Sequence, residues 1–98
     1  MSLPIVLRTE AEEEFNEAFD WYEKRKIGLG VAFTAKIQAI VNEIARNPNP
    51  HAVVFSDIRK AVVRQFPYCV FYRPHLDRIE VVAVFHSKRN PSIWQNRL

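Results

Sequence analysis

The sequence predicts an α+β fold: an N-terminal strand, an antiparallel helical hairpin packed on one face of a mostly antiparallel sheet, and a short C-terminal helix. Three observations carry that reading. From Asp57 to Arg89 the chain is dominated by Val, Ile, Phe and Tyr and broken by Pro67, Pro74 and His75-Leu76-Asp77, the composition of successive short strands. Upstream, two segments joined by Gly28-Leu29-Gly30 repeat apolar residues every three to four positions, the period of a helix buried on one side. At 98 residues the chain has surface enough for one core, so residues 1–98 are expected to form a single domain.

Leu3 to Arg8 reads as the first strand, with Pro4 suited to a strand start or an edge. Its partner strand is not readable. Thr9 is the expected N-cap of the first helix, with Glu12 completing a capping box and the carboxylates at 10, 12, 13 and 14 placed where the helix dipole favours them. Ala11, Phe15, Ala18, Phe19 and Tyr22 form its apolar stripe, Trp21 falls off it, and Lys24, Arg25 and Lys26 close it with the favourable sign. Phe33, Ile37, Ile40, Val41 and Ile44 repeat the stripe on a second helix, which must stop at Asn47-Pro48-Asn49-Pro50. Gly28-Leu29-Gly30 lacks the third glycine and the preceding strand of a nucleotide-binding fingerprint, and serves as a reversal. Val53 to Phe55 is a short strand, followed by the basic run Ile58 to Phe66. In the last strand Ile79, Val81, Ala83 and Phe85 alternate with Glu80, Val82, Val84 and His86, which places the imidazole on the side away from Phe85. Asn90-Pro91 then opens a short helix presenting Ile93, Trp94 and Leu98.

Net charge is +3 and the pI near 9.3, mildly favourable to anionic partners without selecting among them. The distribution says more: the first helix is acidic, whereas from Ile58 onward Arg59, Lys60, Arg64, Arg73, Arg78, Lys88, Arg89 and Arg97 outnumber Asp77 and Glu80. The lone cysteine, Cys69, lies in an apolar run, so it forms no internal disulfide and reads as a buried thiol suited to a reducing cytoplasm. No apolar run of signal-peptide or membrane-spanning length is present, so a cytoplasmic protein that does not insert in a membrane is expected. His51, His75 and His86 lack metal-ligand spacing, and neither a metal nor another cofactor is expected.

The element order, with RQFPYCVFYR followed by EVVAVFHSKRNPSIWQNR, resembles the RelE/ParE superfamily of toxins from bacterial type II toxin-antitoxin modules. The resemblance runs over nearly the whole chain, and its most specific pieces are Arg64, Phe66-Pro67-Tyr68, Tyr72, Ala83-Val84, His86, Arg89, Pro91, Trp94 and Arg97. It implies growth inhibition by the free protein and a cognate antitoxin that wraps it in a heteromer. Two targets follow from it: RelE-like members cut mRNA in the ribosomal A site, and ParE-like members poison DNA gyrase without cutting RNA. A member that retains antitoxin binding without toxicity is a third reading.

If the chain is an enzyme, the chemistry is metal-independent RNA cleavage, which needs a proton shuttle and cations on the phosphate. His86 is the candidate shuttle and Arg64 the candidate phosphate clamp, the two catalytic positions. Arg59, Lys60, Lys88 and Arg89 are candidates for binding RNA phosphate, while Tyr68 and Tyr72 could each stack on a base or stay in the core. Val82, Val84 and Trp94, expected to be exposed, are candidates for the antitoxin-covered surface. Relatives that cut RNA use a dense cationic set with a C-terminal tyrosine, where this chain has Trp94. The cations and His86 are expected to converge on the sheet face that the helices leave bare.

Overall fold

A computed structural model describes residues 2–98. Strand β1 (Ile5–Leu7) leads into α1 (Thr9–Arg25) and α2 (Leu29–Arg46). Strands β2 (Val53–Phe55), β3 (Ile58–Val62), β4 (Tyr68–Pro74) and β5 (Ile79–His86) follow, then the single turn α3 (Ser92–Gln95). The sheet order is β1-β5-β4-β3-β2. Its hairpins are antiparallel, while β1 pairs parallel with β5, with Ile5 beside Ile79 and Leu7 beside Val81. The partner that β1 lacked in the sequence is therefore the last strand: the helices carry the chain to β2 at the far edge, and the β2-β3-β4 meander returns it to β5 beside β1.

The helical stripes dock as their period requires. Ala11, Ala18 and Tyr22 of α1 and Phe33, Ile37 and Ile44 of α2 are buried with Ala61, Val70, Tyr72, Ile79, Val81 and Val84 of the sheet. Phe33 anchors this core, with Tyr22, Phe66 and Tyr68 rings 5.1–5.3 Å from it. The opposite face has a second core of Ile58, Cys69, Phe71, Val82, Ala83, Phe85 and Trp94. Trp94 stacks on Phe71 at 4.3 Å and meets Phe55 edge-on at 5.8 Å, so α3 covers the face that the hairpin does not. Burial pushes the Cys69 thiol pKa up and keeps it protonated.

Three local expectations need correction. Thr9 does not cap α1: Arg8 holds that position with extended backbone and no side-chain cap bond, and its carbonyl accepts from the Glu12 N–H at 3.0 Å. The helix start instead follows the parallel strand, since Arg8 N–H donates to Val81 O at 3.0 Å. The alternation of β5 is also broken. Phe71 pairs with Ala83 but Tyr72 pairs with Val81, leaving Val82 as a bulge. Val81 and Val84 face the hairpin while Val82, Ala83 and Phe85 face α3, and all are buried. Pro91, expected at the first helical position of α3, is its N-cap, and the Asn90 side chain accepts from the Ser92 N–H at 3.0 Å.

The helical reversal is set by close approach. Glu23 near the end of α1 accepts from the N–H groups of Gly28, Gly30 and Val31 at 3.2, 2.8 and 3.2 Å, supplying the cap that α2 lacks at Gly28. A Cβ on Gly30 would lie 2.6 Å from Glu23 Cγ and 2.8 Å from Phe19 O, so only glycine lets the two helices meet there.

Candidate functional site

A recess of about 510 Å³ opens where α1 passes over the ends of β4 and β5. Its walls are Glu14, Glu17, Trp21 and Tyr22 from α1, Pro67 and Tyr68 before and on β4, and Val84, His86 and Arg89 from the end of β5. His86 is half-buried, opposite Tyr68 in register and edge-on to its ring at 5.2 Å. Its Nδ1 accepts from the Lys88 N–H at 3.1 Å, which places the proton of the neutral ring on Nε2 as a donor to any ligand. Arg89 lies over the Phe85 ring at 4.6 Å and approaches Glu14 at 3.9 Å. Burial raises the Tyr68 phenol pKa, so it is a neutral donor at neutral pH.

Of the sequence-predicted site residues, this recess gathers His86 and Arg89 with Val84 at its base. The bulge turns the end of β5 so that His86 shares the hairpin's side of the sheet, against the expectation of a bare face. Arg64 is elsewhere. It is exposed beyond the end of β3 and lines a separate recess with Lys36, Glu43 and Arg46 of α2. His86 and Arg64 thus line different recesses.

The remaining cations scatter too. Arg59 is committed to structure, donating to Asn49 O at 3.0 Å and His51 O at 2.7 Å, so its guanidinium braces the loop before β2. Lys60 pairs with Phe71 and points from the α3 side, exposed, and Lys88 is exposed in the turn after β5. Val82, Val84 and Trp94 are 0, 2 and 1% exposed, a correction to their reading as an open apolar surface. The bulge and the docking of α3 bury them. Of the two readings open for Tyr72, base stacking or core, it takes the core: it is fully buried, with its hydroxyl donating to Pro48 O at 2.6 Å.

The feature the sequence hid is a pair at the rim of the recess. Arg97 clamps both oxygens of Glu14, at 3.1 and 2.6 Å, with side chains only 13 and 10% exposed. Glu14 Oε1 also accepts from the Val84 N–H at 3.1 Å, and Arg97 donates to Val82 O at 3.3 Å. The pair therefore satisfies the bulge's backbone and ties the chain end to α1. Nothing in spacing joins residues 83 apart.

Residues 5–91 match the family model described as the ParE toxin of the type II toxin-antitoxin system parDE. The chain belongs to the ParE toxin family. It is 29% identical over 93 residues to the Mycobacterium tuberculosis protein Toxin ParE2, an alignment covering 94% of this chain and 89% of that one. Its fold matches a chain of a solved structure described as the chromosomal ParDE TA system from P. aeruginosa, with a TM-score of 0.77 and 12% identity, over 89% of this chain and 98% of that one. The expected superfamily and α+β architecture both hold. Within this ParE-family chain no helix of the described residues is long and apolar enough to cross a membrane. Also among the described residues, no three His, Cys, Asp or Glu side chains are placed to hold a metal ion together.

Proposed function

We propose that this ParE-family toxin arrests growth by acting on DNA gyrase through surface contacts, without cutting RNA, and is held inactive in a heteromer with a cognate antitoxin. The observation that carries the non-nucleolytic part is the separation of Arg64 from His86 into different recesses. Metal-free cleavage needs its phosphate clamp and proton shuttle within reach of one scissile bond. Kinship with ParE rather than RelE toxins points the same way.

Purified protein added to a supercoiling assay is expected to stall gyrase, and induction in cells is expected to raise DNA-damage signalling while mRNA stays intact. Unaffected gyrase would sink the reading. One specific observation keeps a nuclease as the second reading: His86, Tyr68 and Arg89 share the wall of an open recess. Primer extension after induction separates the two. New mRNA ends that vanish in His86→Ala would favour the nuclease, whereas unchanged toxicity of His86→Ala favours gyrase.

A further inference from the structure

The recess that holds Arg64 has a chemistry of its own. Lys36, Glu43 and Arg46 lie along one stripe of α2 and face Val62 and Arg64 at the end of β3 across about 300 Å³. No ion pair or side-chain hydrogen bond engages Lys36, Arg46 or Arg64 among the described residues, while Arg8, Arg73, Arg78, Arg89 and Arg97 each have a carboxylate partner. The acid in the wall, Glu43, leans toward His51 at 3.6 Å. Arg64 is carried on a braced turn: Gln65 takes the left-handed conformation at φ 68°, and Val63 N–H donates to Tyr68 O at 2.9 Å.

Lys36 and Arg46 are ten residues apart, about 15 Å along the helix axis. That span is too long for both to meet one phosphate and suits a run of them, since each strand of a duplex carries a charge about every 3.4 Å. The exposed acids Glu12, Glu13, Glu17 and Asp20 lie on α1, so the charge separation between the helices turns the α2 side toward a polyanion. We infer that Lys36, Arg46 and Arg64 form a docking row for the phosphodiester backbone of a duplex nucleic acid. The row is distinct from the His86 recess and does not depend on gyrase being the target.

The test is titration of the purified full chain with a fluorescent DNA duplex, and with an RNA duplex of the same sequence, across salt concentrations. Three phosphate contacts predict a slope of log K against log salt near −2.7, about a 40-fold loss of affinity between 50 and 200 mM salt. Lys36→Gln, Arg46→Gln and Arg64→Gln are each expected to flatten that slope by about 0.9. The tighter of the two duplexes identifies the natural source of the phosphates. Slopes unchanged in the triple variant, or flattened equally by Lys24→Gln with Lys26→Gln at the hairpin tip, would overturn the proposal. Circular dichroism of each variant, expected to match the parent because no ion pair or side-chain hydrogen bond holds these side chains among the described residues, separates lost binding from lost fold.

Discussion

At Glu14 one carboxylate answers two elements at once, taking the Arg97 guanidinium and the Val84 N–H. Removing it strands a nearly buried cation and a strand amide together, and loss of one member of such a pair costs on the order of 3 kcal/mol. Glu14→Ala should therefore lower the urea midpoint far more than Glu13→Ala, whose side chain is exposed. A midpoint shift equal in the two variants would show the clamp to be idle. Tyr72 is the second residue with a measurable signature, because burial pushes its phenol pKa from 10.0 up to about 12. The folded state holds that proton more tightly than the unfolded chain, so the stability is fully present below pH 10 and is lost as pH rises toward 12. In Tyr72→Phe the decline over that window should be shallower. At neutral pH the same variant should lose about 1 kcal/mol with its bond to Pro48 O. Burial of Tyr72 was not legible in the sequence, since a tyrosine in an alternating run reads equally as core or as stacking platform.

Among the elements, the helical hairpin was the most legible, because its two stripes and its glycines state their own geometry. The reversal depends on Gly30. Gly30→Ala must push Glu23 and the Phe19 carbonyl aside, an overpacking that costs about 1 to 3 kcal/mol and should lower the melting temperature. A melting temperature equal to the parent's would mean that the helices part there without strain. The Gly28, Val31 and Gly30 amides hold the Glu23 pKa below its ordinary value. Whatever stability this adds is present above the unfolded carboxylate range and is lost as pH falls through the lowered value. Strand β5 was half legible. Its apolar content marked it as central, but a bulge leaves no mark in a run of Val and Ala, and one inserted residue reversed the facing of everything after Val82. The misplaced binding surface at Val82, Val84 and Trp94 follows from that single register shift and from the docking of α3. Trp94→Ala should cost about 3 to 5 kcal/mol as a core deletion, read by chemical denaturation, where an exposed interface residue would cost almost nothing.

Taken whole, the molecule has two cores on opposite faces of one sheet, with acidic charge concentrated on α1 and unpaired cations on α2. The overall architecture was legible because the order of elements is itself a signature. The convergence of site residues was not, because it depends on contacts between distant segments. The parallel pairing of β1 with β5, sealed by Arg97, joins the first few residues to the last few. The helical hairpin rests on local contacts and can form early in folding, whereas β1 has no strand to zip against until β5, more than seventy positions further on, is in place.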